Sequence, residues 1–300
     1  MACREDNGGM QHSIPLILSS AVMLNFGACN DDGKFHPEFF AFQTGFANAT
    51  KNDPAYLADM VQTAGFDGVE LMGLGRVDAF LPELAKRNLK LHALYLKLDL
   101  DSKQPYDANL KQVLTKHKGQ IHYLWFHVHS GKHPRSDPAG DERCVQVLRE
   151  LSDFARPLNV RIGIYMHVGL WAERFSDGVR IARKVKRDNV GAVFNLCHYL
   201  RTVGPDNLEQ ELTGAFPHVM LVSINGADDG DTTRMGWNRL IQPLGDGTFD
   251  VARVLKVLRT MNYDGPVGLQ GFAVPQKPEE FFPASVKAWN KYIRNINNRP

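Results

Sequence analysis

One strand–turn–helix unit recurs along this sequence from Phe39 onward and constrains its fold more than any other feature. Each unit has a short run of β-branched or aromatic residues, a turn rich in Gly, Asp or Asn, and an amphipathic stretch. The runs predict eight strands, at 39–43, 68–71, 90–94, 122–127, 161–167, 190–195, 219–225 and 266–270. Helical spacing of apolar residues is clearest at 54–64, 144–155 and 249–261.

Strands that alternate with helices in this way pair in parallel through right-handed crossovers. Eight such units in roughly 260 residues match the usual size of a closed (β/α)8 barrel. An open doubly wound sheet is the alternative, but the segment after the first strand, QTGFAN at 43–48, lacks the GxGxxG spacing of a phosphate loop. We therefore predict an α/β protein with a single-domain (β/α)8 TIM barrel over 39–300.

The first thirty residues form a separate segment. The apolar run at 14–26 has the length of a signal-peptide core and is short for a membrane span. Gly27 and Ala28 precede Cys29, as in a bacterial lipoprotein cleavage site. We predict a leader at 1–29, a polar tether at 30–38, and a periplasmic protein or a lipoprotein tethered to the membrane through Cys29. The alternative is a cytoplasmic protein in which this segment packs on the domain as a short helix or strand.

The charge balance bears on the class of partner. Lys and Arg total 35 against 33 Asp and Glu, a net charge of +2, so no whole-protein field attracts nucleic acid. The four cysteines contain no CxxC pair, which argues against a zinc knuckle or a disulfide framework. A small-molecule ligand is the expected partner, and the sequence does not predict the oligomeric state.

The candidate site follows from the fold, because the active site of such a barrel lies at the C-terminal ends of its strands. Seven of the eight predicted strands end in hydrogen-bonding side chains, which predicts a concave polar pocket. These side chains are Gln43, Glu70, His127 with His129, Tyr165 with His167, Asn195 with His198, Asn225 with Asp228, and Gln270.

Five segments carry a resemblance to a known family. They are AGFDGVEL at 64–71, YMHVGLWAER at 165–174, NLCH at 195–198, INGADDGD at 224–231 and YDGPVGLQGF at 263–272. In this order they resemble the xylose isomerase-like TIM barrel superfamily, and most closely its sugar phosphate isomerase/epimerase group of secreted bacterial type. The resemblance covers roughly 39–293.

The resemblance implies a divalent Mn, Mg or Zn ion, bound by Glu on strand five, Asp of a DxxH motif on strand six, His on strand seven and Glu on strand eight. The matching positions hold Tyr165, Asn195, Asn225 and Gln270, and only His198 of DxxH is retained. Hard cations prefer anionic oxygens, whereas amides are neutral. We therefore expect no metal cofactor, with the family metal as the fallback, and a pocket whose amides bind sugar hydroxyls.

Three hypotheses for the function stay open. The first is a metal-independent isomerase, epimerase or lyase of a carbohydrate or keto-sugar, with Glu70, His167 and His198 as acid–base groups. The second is a non-catalytic carbohydrate-binding relative. The third is an enzyme with a relocated metal site made of His and Glu. The predicted substrate-binding residues are Gln43, His127, Tyr165, Trp171, Arg174, Asn195, Asn225, Trp237 and Gln270. Arg174 has an alternative role as a partner of Glu173 at the start of a helix.

Overall fold

Eight parallel strands close into one barrel in a computed structural model that describes residues 33–298. Each strand pairs with the next along the chain, and β1 pairs with β8 to close the ring. The predicted single-domain (β/α)8 barrel is therefore confirmed. The leader at 1–29, with Cys29, lies outside the described residues and stays a prediction. Within 33–298, no helix is long and apolar enough to cross a membrane.

The strands and helices alternate along the described chain. The strands are β1 (Phe39–Ala41), β2 (Gly68–Met72), β3 (Lys90–Asp99), β4 (Ile121–His129), β5 (Arg161–Tyr165), β6 (Val190–Asn195), β7 (Val219–Ile224) and β8 (Val267–Leu269). The helices are α1 (Pro54–Ala64), α2 (Val77–Ala85), α3 (Leu110–Lys116), α4 (Asp141–Ala155), α5 (Phe175–Val185), α6 (Leu196–Thr202), α7 (Leu208–Ala215), α8 (Trp237–Leu240), α9 (Ala252–Thr260) and α10 (Pro278–Asn297).

Helix α1 has the bounds that the sequence predicts, and local chemistry explains both ends. The Asp53 carboxylate accepts a hydrogen bond from the backbone N–H of Tyr56 at 2.9 Å and so caps the N-terminus. Pro54 occupies the first helical position, where no N–H is needed. Gly65 ends the helix with a φ of 93°, a left-handed conformation that favours glycine. The other two predicted helices correspond to α4 and α9, with boundaries that differ by up to three residues.

Strands β3 and β4 are longer than predicted. Leu91 pairs with Ile121 at one end of this ladder, and Asp99 pairs with His129 at the other. The ladder continues beyond Tyr95, which pairs with Met72, the last residue of β2. This ladder satisfies the backbone groups of both strands, so neither ends where the sequence predicts. The two strands therefore form a wall above the rest of the barrel rim.

Several other strands end earlier than predicted. Gln43 begins a 3-10 turn, Gln43–Phe46, and β5 ends at Tyr165, so His167 lies in the following loop. Asn225 and Gln270 directly follow β7 and β8. These polar side chains therefore stand just beyond the strand ends, at the barrel mouth.

The segment predicted as a tether is described from residue 33 onward. Residues 33–38 have no regular secondary structure, yet Phe35 is buried against the domain. The Phe35 backbone N–H donates to the Asn297 side chain at 3.0 Å, and its carbonyl accepts from the same amide at 2.9 Å. Phe35, four residues before β1, is therefore packed as part of the domain.

Two buried apolar layers hold the barrel. One lies between the strands and the surrounding helices, and the other fills the barrel interior. The interior layer includes Phe40, Phe42, Trp125, Tyr165 and Val193. Aromatic rings contact one another within it, since Phe42 and Tyr165 both meet the indole of Trp125 edge-on, at 4.9 and 5.3 Å. This packed layer is the support on which the polar mouth rests.

Gly163 of β5 gives a test of this interior packing. A Cβ atom there would lie 2.5 Å from Cγ2 of Val193, closer than van der Waals contact allows. We expect Gly163→Ala to lower the free energy of unfolding by about 1–3 kcal/mol, as overpacking does. Adding Val193→Ala removes the clashing methyl group, so the double variant should lose less stability than the sum of the two single losses. Urea denaturation of all four proteins measures this, and additive losses would contradict the packing described.

Candidate active site

The polar side chains at the barrel mouth form a cup with two levels. The floor is nearly inaccessible to solvent, and an outer ring of half-buried side chains lies between it and solvent. The floor consists of Glu70, Tyr165, Asn195, His198, Asn225 and Gln270. The outer ring consists of Gln43, Tyr95, His127, His129, His167 and Trp237. Most of the side chains that the sequence places in a pocket therefore lie together.

Tyr165 is the centre of the floor. Its hydroxyl oxygen accepts hydrogen bonds from Nδ2 of Asn195 at 2.6 Å and from Nε2 of Gln270 at 3.5 Å. Burial raises the pKa of Tyr165 well above its ordinary value, so the phenol keeps its proton at neutral pH. Because both amides donate to the oxygen, the hydroxyl proton is left for an acceptor in the cup.

The orientation of two floor amides is fixed by backbone donors. The N–H of His198 donates to Oδ1 of Asn195 at 3.1 Å, which caps α6. The N–H of Phe272 donates to Oε1 of Gln270 at 3.0 Å. A backbone N–H cannot accept a hydrogen bond, so neither amide can be turned round without losing one. Both amides therefore direct their NH2 groups toward Tyr165.

The side-chain amide of Asn225 is fixed through its NH2 group, whereas those of Asn195 and Gln270 are fixed through their oxygens. Its Nδ2 donates to the carbonyl oxygens of Gly226 and Leu240, both at 2.7 Å. Its Oδ1 is buried and has no hydrogen-bond partner in the described structure. Nδ1 of His198 is also buried and has no hydrogen-bond partner within 33–298. An unsatisfied buried polar atom costs about 1–3 kcal/mol, so these two atoms lower the stability of the floor.

Glu70 is the one carboxyl group of the floor. Its side chain is 1% exposed, and Oε2 accepts a hydrogen bond from the backbone N–H of Gln43 at 3.0 Å. Burial raises its pKa from 4.5 to about 8, although the hydrogen bond from Gln43 acts in the opposite direction. Glu70 is therefore mainly protonated at neutral pH and can donate a proton.

His167 and His198 are neutral and adjacent, with ring centroids 4.3 Å apart. Burial lowers the pKa of both imidazoles below the ordinary 6.5. Nδ1 of His167 lies 2.8 Å from the carbonyl oxygen of Val168, which only accepts, so Nδ1 carries the proton. Nε2 of His167 is then an unprotonated base in the outer ring.

His127 and His129 form a second pair, on β4. Nδ1 of His127 lies 2.7 Å from Nε2 of His129, a hydrogen-bond distance. The ring of Tyr95 stacks on His127 with centroids 4.4 Å apart and an interplanar angle of 23°. Tyr95 also meets Tyr165 edge-on at 5.0 Å, so this pair adjoins the floor.

Gln43 and Trp237 complete the outer ring. The Gln43 side-chain oxygen accepts from the backbone N–H of Met72 at 2.8 Å, which holds the end of β2 against the turn after β1. The indole of Trp237 meets His198 edge-on, with centroids 5.4 Å apart. Trp237 is therefore placed to contact a ligand in the cup.

Trp171 lies elsewhere, and its predicted role in stacking on a sugar is wrong for this structure. The indole is 1% exposed, donates from Nε1 to the carbonyl oxygen of Asp137 at 3.0 Å, and packs in the layer outside the strands. Its close approach to the backbone needs Gly140, because a Cβ there would lie 2.8 Å from the indole. Trp171 is a packing residue of the loop before α5.

Arg174 is separate from the cup as well. It lies at the N-terminus of α5 with an exposed side chain, and within 33–298 no hydrogen bond, ion pair or ring contact joins it to the floor or outer ring. The alternative pairing with Glu173 is not formed, because Glu173 binds Arg135 at 3.0 Å. Its predicted part in substrate binding therefore has no support in the geometry.

The sequence prediction does not include Tyr95 of the outer ring or Ser223, which is hydrogen-bonded to the floor residue Asn195. Tyr95 is absent because β3 is predicted to stop at Leu94, and Ser223 because it lies within β7. The alternation in LYLKLDL at 94–100 extends β3 and directs Tyr95 to the interior, so this signal was available. Ser223 accepts from Nδ2 of Asn195 at 2.7 Å, a contact that sequence spacing does not reveal.

The cup does not fit the divalent metal that the family resemblance implies. At the four corresponding positions, Asn195 and Gln270 direct N–H donors inward, Tyr165 keeps its proton, and Asn225 contributes one carbonyl oxygen. Donor N–H groups repel a cation, and no charged oxygen offsets this. Within 33–298, no group of three or more His, Cys, Asp or Glu residues is placed to hold a metal ion, so a relocated site has no support either.

A parallel eight-stranded barrel with a polar cup at its C-terminal mouth defines the class of this protein. The family model described as xylose isomerase-like TIM barrel matches residues 58–292. The chain therefore belongs to the xylose isomerase-like TIM barrel family, and the predicted resemblance is confirmed.

Particular relatives share parts of this barrel. The inosose isomerase of Halalkalibacterium halodurans is 24% identical over 131 residues, which are 43% of this chain and 45% of that protein. The match thus spans less than half the length of this curated relative. The crystal structure of 3-keto-D-glucoside 4-epimerase from E. coli has a TM-score of 0.68 at 16% identity and covers 87% of this chain and 100% of that one. A crystal structure of the IolI protein with a bound zinc atom has a TM-score of 0.65 at 18% identity and covers 86% and 97%. These two structures show the shared fold.

Glu70 should make stability depend on pH. Between pH 4.5 and about 8 the folded chain holds a proton on Glu70 that the unfolded chain releases, so this residue lowers the free energy of unfolding as pH rises. The limit is about 1.4 kcal/mol per pH unit. Glu70→Gln removes this contribution, so its stability relative to the unaltered protein should increase from pH 5 to pH 8. Urea denaturation measures the difference, with the exposed Glu142→Gln as the matched control. Parallel pH curves for Glu70→Gln and the unaltered protein would contradict a protonated Glu70.

Proposed function

We propose that the protein is an isomerase or epimerase of a keto-sugar that uses the side chains of the cup as acid and base, without the family's divalent metal. One observation carries this proposal: the same cup holds a carboxyl group whose burial raises its pKa to about 8, and an imidazole whose Nδ1 contact with the Val168 carbonyl leaves Nε2 without a proton. The names of the relatives, inosose isomerase and 3-keto-D-glucoside 4-epimerase, support a carbohydrate substrate.

His167 is the proposed base. It is half-buried and so reachable by a ligand, and Val168 fixes the tautomer that leaves Nε2 unprotonated. Its lowered pKa keeps the imidazole neutral at physiological pH. His198 packs against this ring, with centroids 4.3 Å apart.

Glu70 and Tyr165 are the proposed proton donors to the substrate carbonyl. Both keep their protons at neutral pH, and Tyr165 is already held by two amide donors on its oxygen. Donors that are fixed before the substrate arrives stabilise the negative charge that develops on the carbonyl oxygen. The remaining polar groups of the cup would bind sugar hydroxyls.

Formation of the enediol needs two proton transfers. Nε2 of His167 takes the proton from the carbon next to the carbonyl, the carbon–oxygen double bond becomes a carbon–carbon double bond, and Glu70 protonates the oxygen to give an enediol. The enediol then returns a hydroxyl proton to Glu70. Protonation of the neighbouring carbon by His167 gives the isomer, whereas protonation of the first carbon on its opposite face by water, with release of the His167 proton to solvent, gives the epimer. Loss of a β-substituent from the same intermediate would be the lyase reaction.

A non-catalytic carbohydrate-binding protein is the second candidate. The four neutral side chains at the family's metal positions favour it, because amides and a phenol bind hydroxyls without moving protons. This candidate gives no reason for the neutral imidazole pair or for a protonated Glu70. Proton exchange at carbon separates the two candidates directly.

We expect the protein to exchange hydrogen for deuterium at the carbon next to the carbonyl in a panel of ketohexoses and 3-keto-glycosides in D2O. His167→Gln should reduce this exchange at least about 100-fold, since it removes the base. The control His36→Gln changes an exposed histidine before β1, at the opposite end of the barrel, and should leave the rate unchanged. NMR of the sugars measures the exchange.

All samples are first dialysed against EDTA. Saturable sugar binding without exchange would contradict the enzyme and support the binding protein. Exchange that appears only after Mn²⁺ or Zn²⁺ is returned would contradict the metal-independent reaction.

The pH profile should show which groups act. Above a pH of about 8 we expect kcat/KM to fall, because Glu70 loses the proton that it must donate. The fall on the acid side should lie below pH 6.5, because the pKa of His167 is lowered. Glu70→Gln should lower kcat/KM and abolish the fall above pH 8. If kcat/KM of Glu70→Gln still falls above pH 8, the fall comes from a group other than Glu70.

A further inference from the structure

We propose that Trp171 is a positioning residue that holds His167 at the mouth of the barrel. The base loop, residues 166–174, joins β5 to α5 and carries His167. Trp171 belongs to the same loop but packs in the apolar layer outside the strands, away from the cup. The inference rests on the proposed function in that His167 is the base of that reaction, and it adds the residue that keeps this base in place.

Trp171 attaches the base loop to β4 and to the segment that follows β4. Its backbone N–H donates to the carbonyl oxygen of Val128 on β4 at 3.0 Å, and its own carbonyl oxygen accepts from the N–H of Ser136 at 2.8 Å. The indole Nε1 donates to the carbonyl oxygen of Asp137 at 3.0 Å. One residue therefore makes three hydrogen bonds to neighbouring segments, two through its main chain and one through its side chain.

The segment that receives Trp171 is itself held in place. The buried carboxylate of Asp177, on α5, accepts hydrogen bonds from the Ser136 hydroxyl at 2.6 Å and from the backbone N–H of Arg174 at 2.8 Å. The same carboxylate forms an ion pair with Arg180 at 2.5 Å. A buried charge of this kind is costly to leave without its partners. The end of the base loop and the segment after β4 are thus bound to one carboxylate.

His167 takes its position from hydrogen bonds within the base loop. Its backbone N–H donates to the carbonyl oxygen of Ala172 at 3.0 Å, and its carbonyl oxygen accepts from the N–H of Leu170 at 3.1 Å. Leu170 directly precedes Trp171 and Ala172 directly follows it, so both main-chain bonds of His167 end on neighbours of Trp171. Nδ1 of His167 is bound to Val168 of the same loop. A displacement of Trp171 therefore moves the main chain of His167 and the contact that selects its tautomer.

Gly140, the residue before α4, leaves the space that the indole fills. A Cβ atom at this position would lie 2.8 Å from Nε1 and from Cε2 of Trp171, closer than van der Waals contact allows. The φ of Gly140 is −80°, which other residues also adopt, so an alanine there displaces the indole without straining the backbone. Gly140→Ala therefore perturbs Trp171 from outside the base loop.

The tautomer of His167 tests the inference without a substrate. In the ¹⁵N-labelled full chain, NMR distinguishes a proton on Nδ1 from a proton on Nε2, and His167→Gln assigns the signals. We expect only the Nδ1–H form in the unaltered protein and a mixture of both forms in Gly140→Ala, because the contact with Val168 is loosened. Trp171→Phe loses the Nε1 hydrogen bond with a smaller change in shape and should also show the mixture. An unchanged Nδ1–H form in every variant that folds would overturn the inference, even if the protein turns over a sugar.

Kinetics then separate positioning from a general loss of stability. With the sugar of the panel that exchanges fastest in D2O, we expect Gly140→Ala to lower kcat at least about tenfold, because the base is misplaced. KM should stay within about twofold, since the floor that binds the sugar is not displaced. Trp171→Phe lacks Nε1 and the outer carbon atoms of the indole, so adding Gly140→Ala to it should lower kcat by less than about twofold.

Gly265→Ala is the matched control. It brings a Cβ atom against the buried ring of Tyr263, at the N-terminal end of the barrel, and should lower stability while kcat and the tautomer of His167 stay unchanged. An unchanged kcat in Gly140→Ala, or an equal loss of kcat in Gly265→Ala, would overturn the inference. If no sugar reacts, the proposed function fails and the tautomer measurement alone decides whether Trp171 positions His167.

Discussion

The hydroxyl oxygen of Tyr165 joins three strands at the barrel mouth, and the rest of the site depends on it. Asn195, the last residue of β6, and Gln270, directly after β8, both donate to this oxygen, and each side chain is oriented by a hydrogen bond that it accepts from a backbone N–H. The chemical character of the floor is thus set by the main chain. A floor of fixed donors binds neutral or anionic oxygen, and it repels the cation for which the family's carboxylates are suited.

Burial keeps the titratable side chains of the cup, Glu70, His167 and His198, in their neutral forms at neutral pH. The same loss of solvent raises the pKa of Glu70 and lowers the pKa of His167 and His198, because in each case it disfavours the charged form. An acid and a base therefore coexist within one cup without neutralising each other. In a metal-dependent site the ion supplies positive charge to the substrate oxygen, whereas here protonated side chains would stabilise that oxygen.

Much of this could be predicted from the sequence, for physical reasons that differ between residues. The parallel barrel follows from the alternation of strand and helix patterns, and closure alone then brings Glu70, Tyr165, Asn195 and Gln270 to one mouth. Trp171 could not be placed, because an aromatic residue after a strand packs equally well on the helical side, where Gly140 makes room for it. The directions of the amide groups depend on backbone N–H groups that only the folded chain brings into place.

The wall formed by β3 and β4 makes the two sides of the mouth unequal in construction. On that side a continuous ladder of main-chain hydrogen bonds reaches Asp99 and His129, whereas the opposite side is made of β8, three residues long, and of connecting segments. Segments without a ladder tolerate substitution and insertion far better than paired strands. Among related proteins, substitutions that change the ligand should therefore accumulate in the loops beside β8. The paired ends of β3 and β4 should vary less and position the ligand.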